Sequence, residues 1–213
     1  MKTLIAVPCM DMVHADFMSS MVSLQKTADC SFTIVKNTLI HVARNVIARN
    51  AMEAGFDRIM WFDSDMVFPP DTLKRLSEDM EKGYDLVSGL YFTRKPPIKP
   101  VAYEKLWWES KETGIDAGAV EMWDYPENEL VRVNGVGFGC CMVSTDLIAR
   151  VIDKFGSAFA PLQGMGEDLS FCLRASAVGG EMRVDTGIKC GHIGYMKFDE
   201  EYYKGQSLRP IAP

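Results

Sequence analysis

A basic surplus is missing from this 213-residue chain: Lys and Arg number 23 against 29 Asp and Glu, for a formal net charge of −6. Proteins that grip polyanions carry a basic excess or a basic run, so nucleic acid is disfavoured as a partner, although a local basic cleft is compatible with the totals. The cysteines Cys9, Cys30, Cys140, Cys141, Cys172 and Cys190 contain no CxxC pair. Zinc-ribbon spacing is therefore absent, and the adjacent Cys140 and Cys141 suit a disulfide framework poorly. Buried thiols of a reducing compartment are the better reading. No stretch reaches the ~20 apolar residues that span a bilayer. The opening MKTLIAVPCMD holds only a short apolar run before Asp11, more like a first core strand than a secretory leader. Repeats, low-complexity tracts and an interdomain linker are missing too. The expectation is one soluble, cytoplasmic domain.

What is present is a globular composition, 47% hydrophobic and 24% charged, in a chain long enough to bury a core without staples. Apolar runs at 3–7, 32–35, 58–62 and 85–91 alternate with helical patterns at 14–27, 39–54 and 69–83. Gly55 closes the second helix, and the third starts with prolines and ends in glycine. Such alternation predicts a mostly parallel sheet covered by helices. The second half is mixed. Residues 93–135 are rich in Pro, Trp, Tyr and charge, with short strand-like pieces at 101–103 and 119–123. NGVGFGCCMVS reads as a glycine-spaced strand, and a helix over 145–155 has Ser144 or Thr145 as its cap. A further helix opens at GED, residues 182–193 read as a last strand, and 197–213 as a polar tail.

The chemistry concentrates at WFDSDMVF, residues 61–68. Asp63 and Asp65 follow Ile59, Met60, Trp61 and Phe62, where an apolar strand leaves the core. Two like charges in a partly dry site are unfavourable unless a cation or a shared proton compensates. In open parallel sheets ligands bind beyond the carboxyl ends of the strands, which is where this pair falls. A solvated turn is the plain alternative. Glu167 and Asp168 open a helix, where they serve as dipole-stabilising acids or as reacting groups. His192, between glycines in IKCGHIGY, is either structural or a third metal ligand. Asn37, His41, Arg44 and Asn45 share one helical stripe, from which Arg44 is placed to meet a phosphate.

The order of these pieces resembles the GT-A glycosyltransferases, the family-2-like group, over roughly residues 3–195: a first strand ending at Pro8, ARN on the second helix, hydrophobic-DSD, GVGFGCCMVS, GED and a late His. The resemblance implies an α/β, Rossmann-like GT-A domain over 1–196, with a nucleotide-binding half (1–92), an acceptor-side half (93–196) and a tail (197–213). It implies Mn²⁺ or Mg²⁺ bridging the diphosphate of a UDP- or GDP-sugar, held by Asp63, Asp65 and His192. It further implies Asp168 as catalytic base, with Glu167 as the alternate. Pro8, Met10 and Asp11 would border the nucleotide, with Arg44, Asp63, Ser64 and Arg94 around the donor. The acceptor is left open among a glycan, a lipid, a protein and a modified nucleic-acid base. Trp107, Trp108 and Trp123 are either an acceptor surface or core packing. The QxxRW signature of processive members is missing, which argues against a polysaccharide synthase. Two rivals stand beside this reading. A haloacid dehalogenase-like phosphatase would use Asp63 as nucleophile and Asp65 as acid/base, and a non-catalytic module would bind sugar without turnover.

Overall fold

The computed structural model describes residues 1–26, 28–194 and 197–204. Its first half follows the alternation read above: β1 (Thr3–Cys9), α1 (Ala15–Ser23), β2 (Cys30–Lys36), α2 (Ile40–Glu53), β3 (Arg58–Phe62), the two-residue β4 (Met66–Val67), α3 (Thr72–Met80) and β5 (Leu86–Leu90). Every residue of β1, β3 and β5 is buried, as strands must be when helices cover both faces of their sheet. Side chains alternate between those faces. Leu4, Ala6, Ile59 and Trp61 meet Ile47, Ala48 and Ala51 of α2, while Ile5, Val7, Met60 and Phe62 meet Phe17 and Met21 of α1 and Leu73 and Leu76 of α3.

The second half adds β6 (Ala102–Lys111), β7 (Gly114–Glu121), β8 (Leu130–Arg132), β9 (Gly135–Val136), β10 (Cys140–Ser144), α4 (Thr145–Phe155), α5 (Glu167–Ala177), β11 (Met182–Lys189), β12 (Gly191–Ile193), β13 (Lys197–Phe198) and α6 (Glu200–Lys204). The central seven-stranded sheet runs β2-β1-β3-β10-β5-β11-β8. Five strands share one direction, and β10 and β8 oppose it. The sheet is thus mostly parallel and flanked by helices, with a smaller mixed portion in the second half. Ser144 caps α4 by accepting from the Leu147 N–H at 3.1 Å, whereas the Thr145 hydroxyl donates to the Phe56 carbonyl at 2.8 Å.

Three features depart from the pattern read in the sequence. The short pieces at 101–103 and 119–123 belong to a long hairpin, β6–β7, turning at Gly114 with φ +125°. Most of its residues are only half-buried, so they carry no continuous apolar run. The expected last strand divides. β11 stays in the central sheet, while β12 leaves to lie between β13 and β4 in a three-stranded sheet of its own. The expected polar tail begins with structure, because β13 and α6 occupy 197–204 and Tyr203 stacks on Phe92 at 4.5 Å between centroids. The remainder, 205–213, lies outside the described residues.

Candidate active site

β3 delivers the acid pair to the carboxyl end of the sheet, where a tight turn holds it. The Asp63 N–H donates to the Gly139 carbonyl at 3.0 Å and the Asp63 carbonyl accepts from the Met66 N–H at 3.2 Å. β4 then pairs antiparallel with β12, setting His192 opposite Met66. The Ile193 N–H donates to the Asp65 carbonyl at 2.8 Å. Two segments more than a hundred residues apart are thereby locked together. His192 Nε2 comes to 3.6 Å from Asp65 Oδ2, and Nδ1 lies 2.9 Å from the Phe92 carbonyl oxygen. A carbonyl only accepts, so Nδ1 carries a proton, and Nε2 is the ring nitrogen that faces Asp65. Backbone orientation of one ring nitrogen is the usual support of a metal-binding imidazole.

Arg44, on α2, is only 2% exposed. Its Nη2 donates to Asp63 Oδ1 at 2.9 Å, its Nε lies 3.3 Å from Glu167 Oε1, and its guanidinium stacks over Phe138 and Trp61 at 5.1 and 5.5 Å. Burial works against the Arg44 charge, but Asp63, Glu167 and Asp168 outweigh it and raise its pKa. The Asp63 carboxyl is in turn pushed up by burial, against the pull of Arg44 and with the repulsion of Asp65. Asp65 differs. Burial would raise it, yet the hydrogen bond and charge of His192, and Arg94, hold it below the usual carboxylate range. Arg94 makes a close ion pair with Asp65 Oδ2.

The acids lie between two clefts that share Asp63, Asp65 and Arg94. One, of about 240 Å³, is lined by Pro8, Met10, Thr38, Ile40 and Ser64; the other, of about 490 Å³, by Tyr91, Lys95, Lys99, Tyr103, Asp168 and His192. Asp168 opens α5 facing the second cleft, its Oδ1 accepting from the Leu169 N–H at 2.7 Å. Burial, then the neighbouring Glu167, lifts its carboxyl to about 6. Consecutive helical residues point about 100° apart, so Glu167 turns to Arg44 and Asp168 to the cleft.

Of the residues picked from the sequence, Pro8, Met10, Asp63, Ser64, Asp65, Arg94, Asp168 and His192 are brought together here. Arg44 and Glu167 lie behind Asp63, lining neither cleft, and Asp11 is exposed outside both. Asn45 is structural, its Oδ1 accepting from Ser157 and from the Phe159 N–H, both at 3.2 Å. The three tryptophans do not line either cleft. Trp107 donates to Asp116 at 2.9 Å with its ring over Gly118, Trp108 donates to the Gln163 carbonyl at 3.0 Å, and Trp123 packs on Tyr203. The aromatics at the cleft are Tyr91, inside the stretch Gly89–Arg94 (GLYFTR) that the glycosyltransferase resemblance implies for the sugar side, and Tyr103, which sequence reasoning left unassigned. The spaced glycines were the available signal for Tyr91. A Cβ at Gly137 would sit 2.0 Å from its hydroxyl, and the Gly139 N–H donates to that oxygen at 3.1 Å.

Among the described residues no three His, Cys, Asp or Glu side chains are gathered closely enough to cage a metal. Asp65 and His192 are the pair that could hold a metal: one carboxylate plus one imidazole would suit Mn²⁺ or Mg²⁺ if phosphate oxygens and water completed the shell.

No protein-family model matches the chain, and no curated protein matches it by sequence. Solved structures do. Protein A197 from STIV aligns with 91% of this chain and 86% of its own, at 21% identity and a TM-score of 0.66. GalNAc-T7, solved with UDP, GalNAc and Mn²⁺, aligns with 99% of this chain at 11% identity and a TM-score of 0.60. S. aureus TarS 1–349 aligns with 88% at 12% identity and a TM-score of 0.55. This chain spans 45% of the GalNAc-T7 chain and 59% of the TarS chain. At such identities the likeness speaks for architecture, and the architecture is a GT-A-like glycosyltransferase fold.

Proposed function

We propose that the protein is a metal-dependent glycosyltransferase that moves a sugar from a nucleoside-diphosphate sugar, UDP- or GDP-linked, to an acceptor hydroxyl. The observation that carries this reading is the pairing of β12 with β4, which brings Nε2 of His192 to 3.6 Å from Asp65, a residue on the rim of both clefts. Mn²⁺ or Mg²⁺ held by these two groups would neutralise the charge that grows on a departing diphosphate. Every other part of the chemistry falls to the chain. Pro8, Met10, Thr38 and Ser64 border the donor cleft. Asp63, oriented by buried Arg44, presents its second oxygen to the sugar, the ribose or a metal-bound water. Across the shared wall, Asp168 takes the proton of the acceptor hydroxyl, and a carboxyl near pH 6 is ionised at neutral pH while still basic enough to accept it. That assignment applies to inversion at the anomeric carbon; the metal assignment holds for either stereochemistry.

The GT-A-like fold and the two clefts meeting at the acid pair support this reading over the phosphatase and the binding module. The test is a panel of nucleotide sugars with Mn²⁺, following release of nucleoside diphosphate alongside thermal stabilisation. Release expected with one donor, and lost in Asp65→Ala together with metal-dependent nucleotide binding, supports the assignment. Phosphate release with a trapped acyl-phosphate on Asp63 would replace it with the phosphatase. Stabilisation without any turnover would leave a sugar-binding module.

A further inference from the structure

β2 is the outermost strand of the central sheet on the β1 side, and its other edge has no strand beside it among the described residues. Soluble proteins normally shorten, charge or cover such an edge, because its unpaired backbone groups template pairing with another chain. β2 is seven residues long, lacks proline, and exposes Phe32 by 54% and Ile34 by 42%. Its register with β1, Ile5 to Phe32 and Val7 to Ile34, puts both on the α1 face. On the opposite face Asn45 of α2 turns toward the loop after α4, so Leu39, Val42 and Val46 lie along the helix flank above β2, and all three are exposed. Of the thirteen exposed large apolar side chains among the described residues, Phe32, Ile34, Leu39, Val42 and Val46 gather at this edge, while the neighbouring Ile40 lines the first cleft.

We propose that this edge is a homodimer interface, with β2 of two copies pairing antiparallel about a twofold axis through Thr33. A strand edge is self-complementary in that arrangement, as the isologous contact of a twofold dimer requires. Residues equidistant from Thr33 then face each other. Phe32 meets Ile34 of the second copy, twice, an aromatic and β-branched cross-strand pair. Lys36 falls opposite Cys30 of the second copy, at the ends of the paired segment and clear of the apolar pairs. Centring on Ile34 would instead set Lys36 against Phe32, and centring on Phe32 would set Asp29 against Val35. The two sheets merge into one, and the Leu39, Val42 and Val46 stripes of the two copies approach across the axis.

The proposal is independent of the glycosyl-transfer reading. Its test is the solution mass of the purified chain by light scattering after size exclusion, expected at twice 23.8 kDa. Phe32→Glu and Ile34→Lys are each expected to yield monomers with unaltered circular dichroism, since both side chains are largely outside the core. Combining the two substitutions restores the dimer, because each introduced acid then faces an introduced base. Thr33→Cys in a Cys30→Ser background gives a covalent dimer on mild oxidation. A monomeric wild-type chain overturns the proposal, as does an oligomer larger than two. So does a dimer that survives both single substitutions, or single-variant monomers that the double substitution fails to rescue.

Discussion

Arg44→Met removes the cation that holds Asp63 and Glu167 together beneath the candidate site. Breaking a buried ion pair from one side costs about 3–5 kcal/mol, because the remaining charges are left dry and unpaired. Asp63 keeps 33% of its side chain exposed and Glu167 15%, so water relieves part of the strain. The lower end, about 3 kcal/mol, is therefore expected. In a chain of this size each kcal/mol shifts the melting temperature by about 2–4 °C, which gives a fall of about 6–12 °C. The methionine keeps apolar contact with Trp61 and Phe138, so the loss is electrostatic rather than a cavity. Arg44→Lys retains charge without the planar fork that spans both carboxylates, and is expected to lose less. The deficit also carries a pH signature. Without Arg44 the Asp63 carboxyl, already raised by burial, rises further above its unfolded value. An ionised carboxylate of that kind destabilises above its folded pKa, and the penalty disappears as pH falls through it. The gap between Arg44→Met and wild type should therefore narrow from pH 7 to pH 5, measured by thermal melts in matched ionic strength. A shift under about 2 °C, well below the ~6 °C lower bound, or a gap that widens in acid, would refute the account of Arg44 as the buried clamp.

Four further outcomes are expected. Asp168→Asn should lower kcat by about 10²–10⁴-fold with donor binding intact, as loss of a general base does. In the wild type, kcat/KM should fall as pH drops below about 6, since the base acts only when deprotonated; a flat profile there argues for another base. Arg94→Ala should tighten binding of Mn²⁺ alone, because Arg94 forms an ion pair with Asp65 Oδ2 and competes for that oxygen. An exposed pair of this kind is worth about 0.2–1 kcal/mol, so a gain of up to about fivefold is expected by calorimetry. Gly118→Ala places a Cβ 2.2 Å from the Trp107 ring, and overpacking of about 1–3 kcal/mol should appear as faster amide exchange across β6–β7.

The alternation of the first ninety residues was legible because it is local. An apolar run of about five residues bounded by Pro8 or Asp63 reads as a buried strand, and for β3 its end is where the chain leaves the core, whereas β1 continues buried through Pro8 to Cys9. The acid pair's place at the carboxyl end of β3, and the Glu167–Asp168 step at the start of α5, follow from that. The roles within each pair were not legible. Glu167 and Asp168 look equivalent in a sequence, and only the tertiary placement of the start of α5 gives one to Arg44 and the other to the cleft. Likewise Arg44 reads as a cationic helix residue, and its burial between Trp61 and Phe138 depends on three segments meeting.

By itself, then, the sequence determined the α/β class, the five longer helices to within a few residues, and which residue types gather at the ends of strands, since all of these follow from periodicity and capping within a few residues. Tertiary structure alone decided that β10 enters between β3 and β5 against their direction, because an apolar strand carries no local mark of its neighbours. It alone decided that β12 departs from β11 to pair with β4. That pairing lies in no local pattern, and it is what sets the imidazole of His192 beside the carboxylate of Asp65.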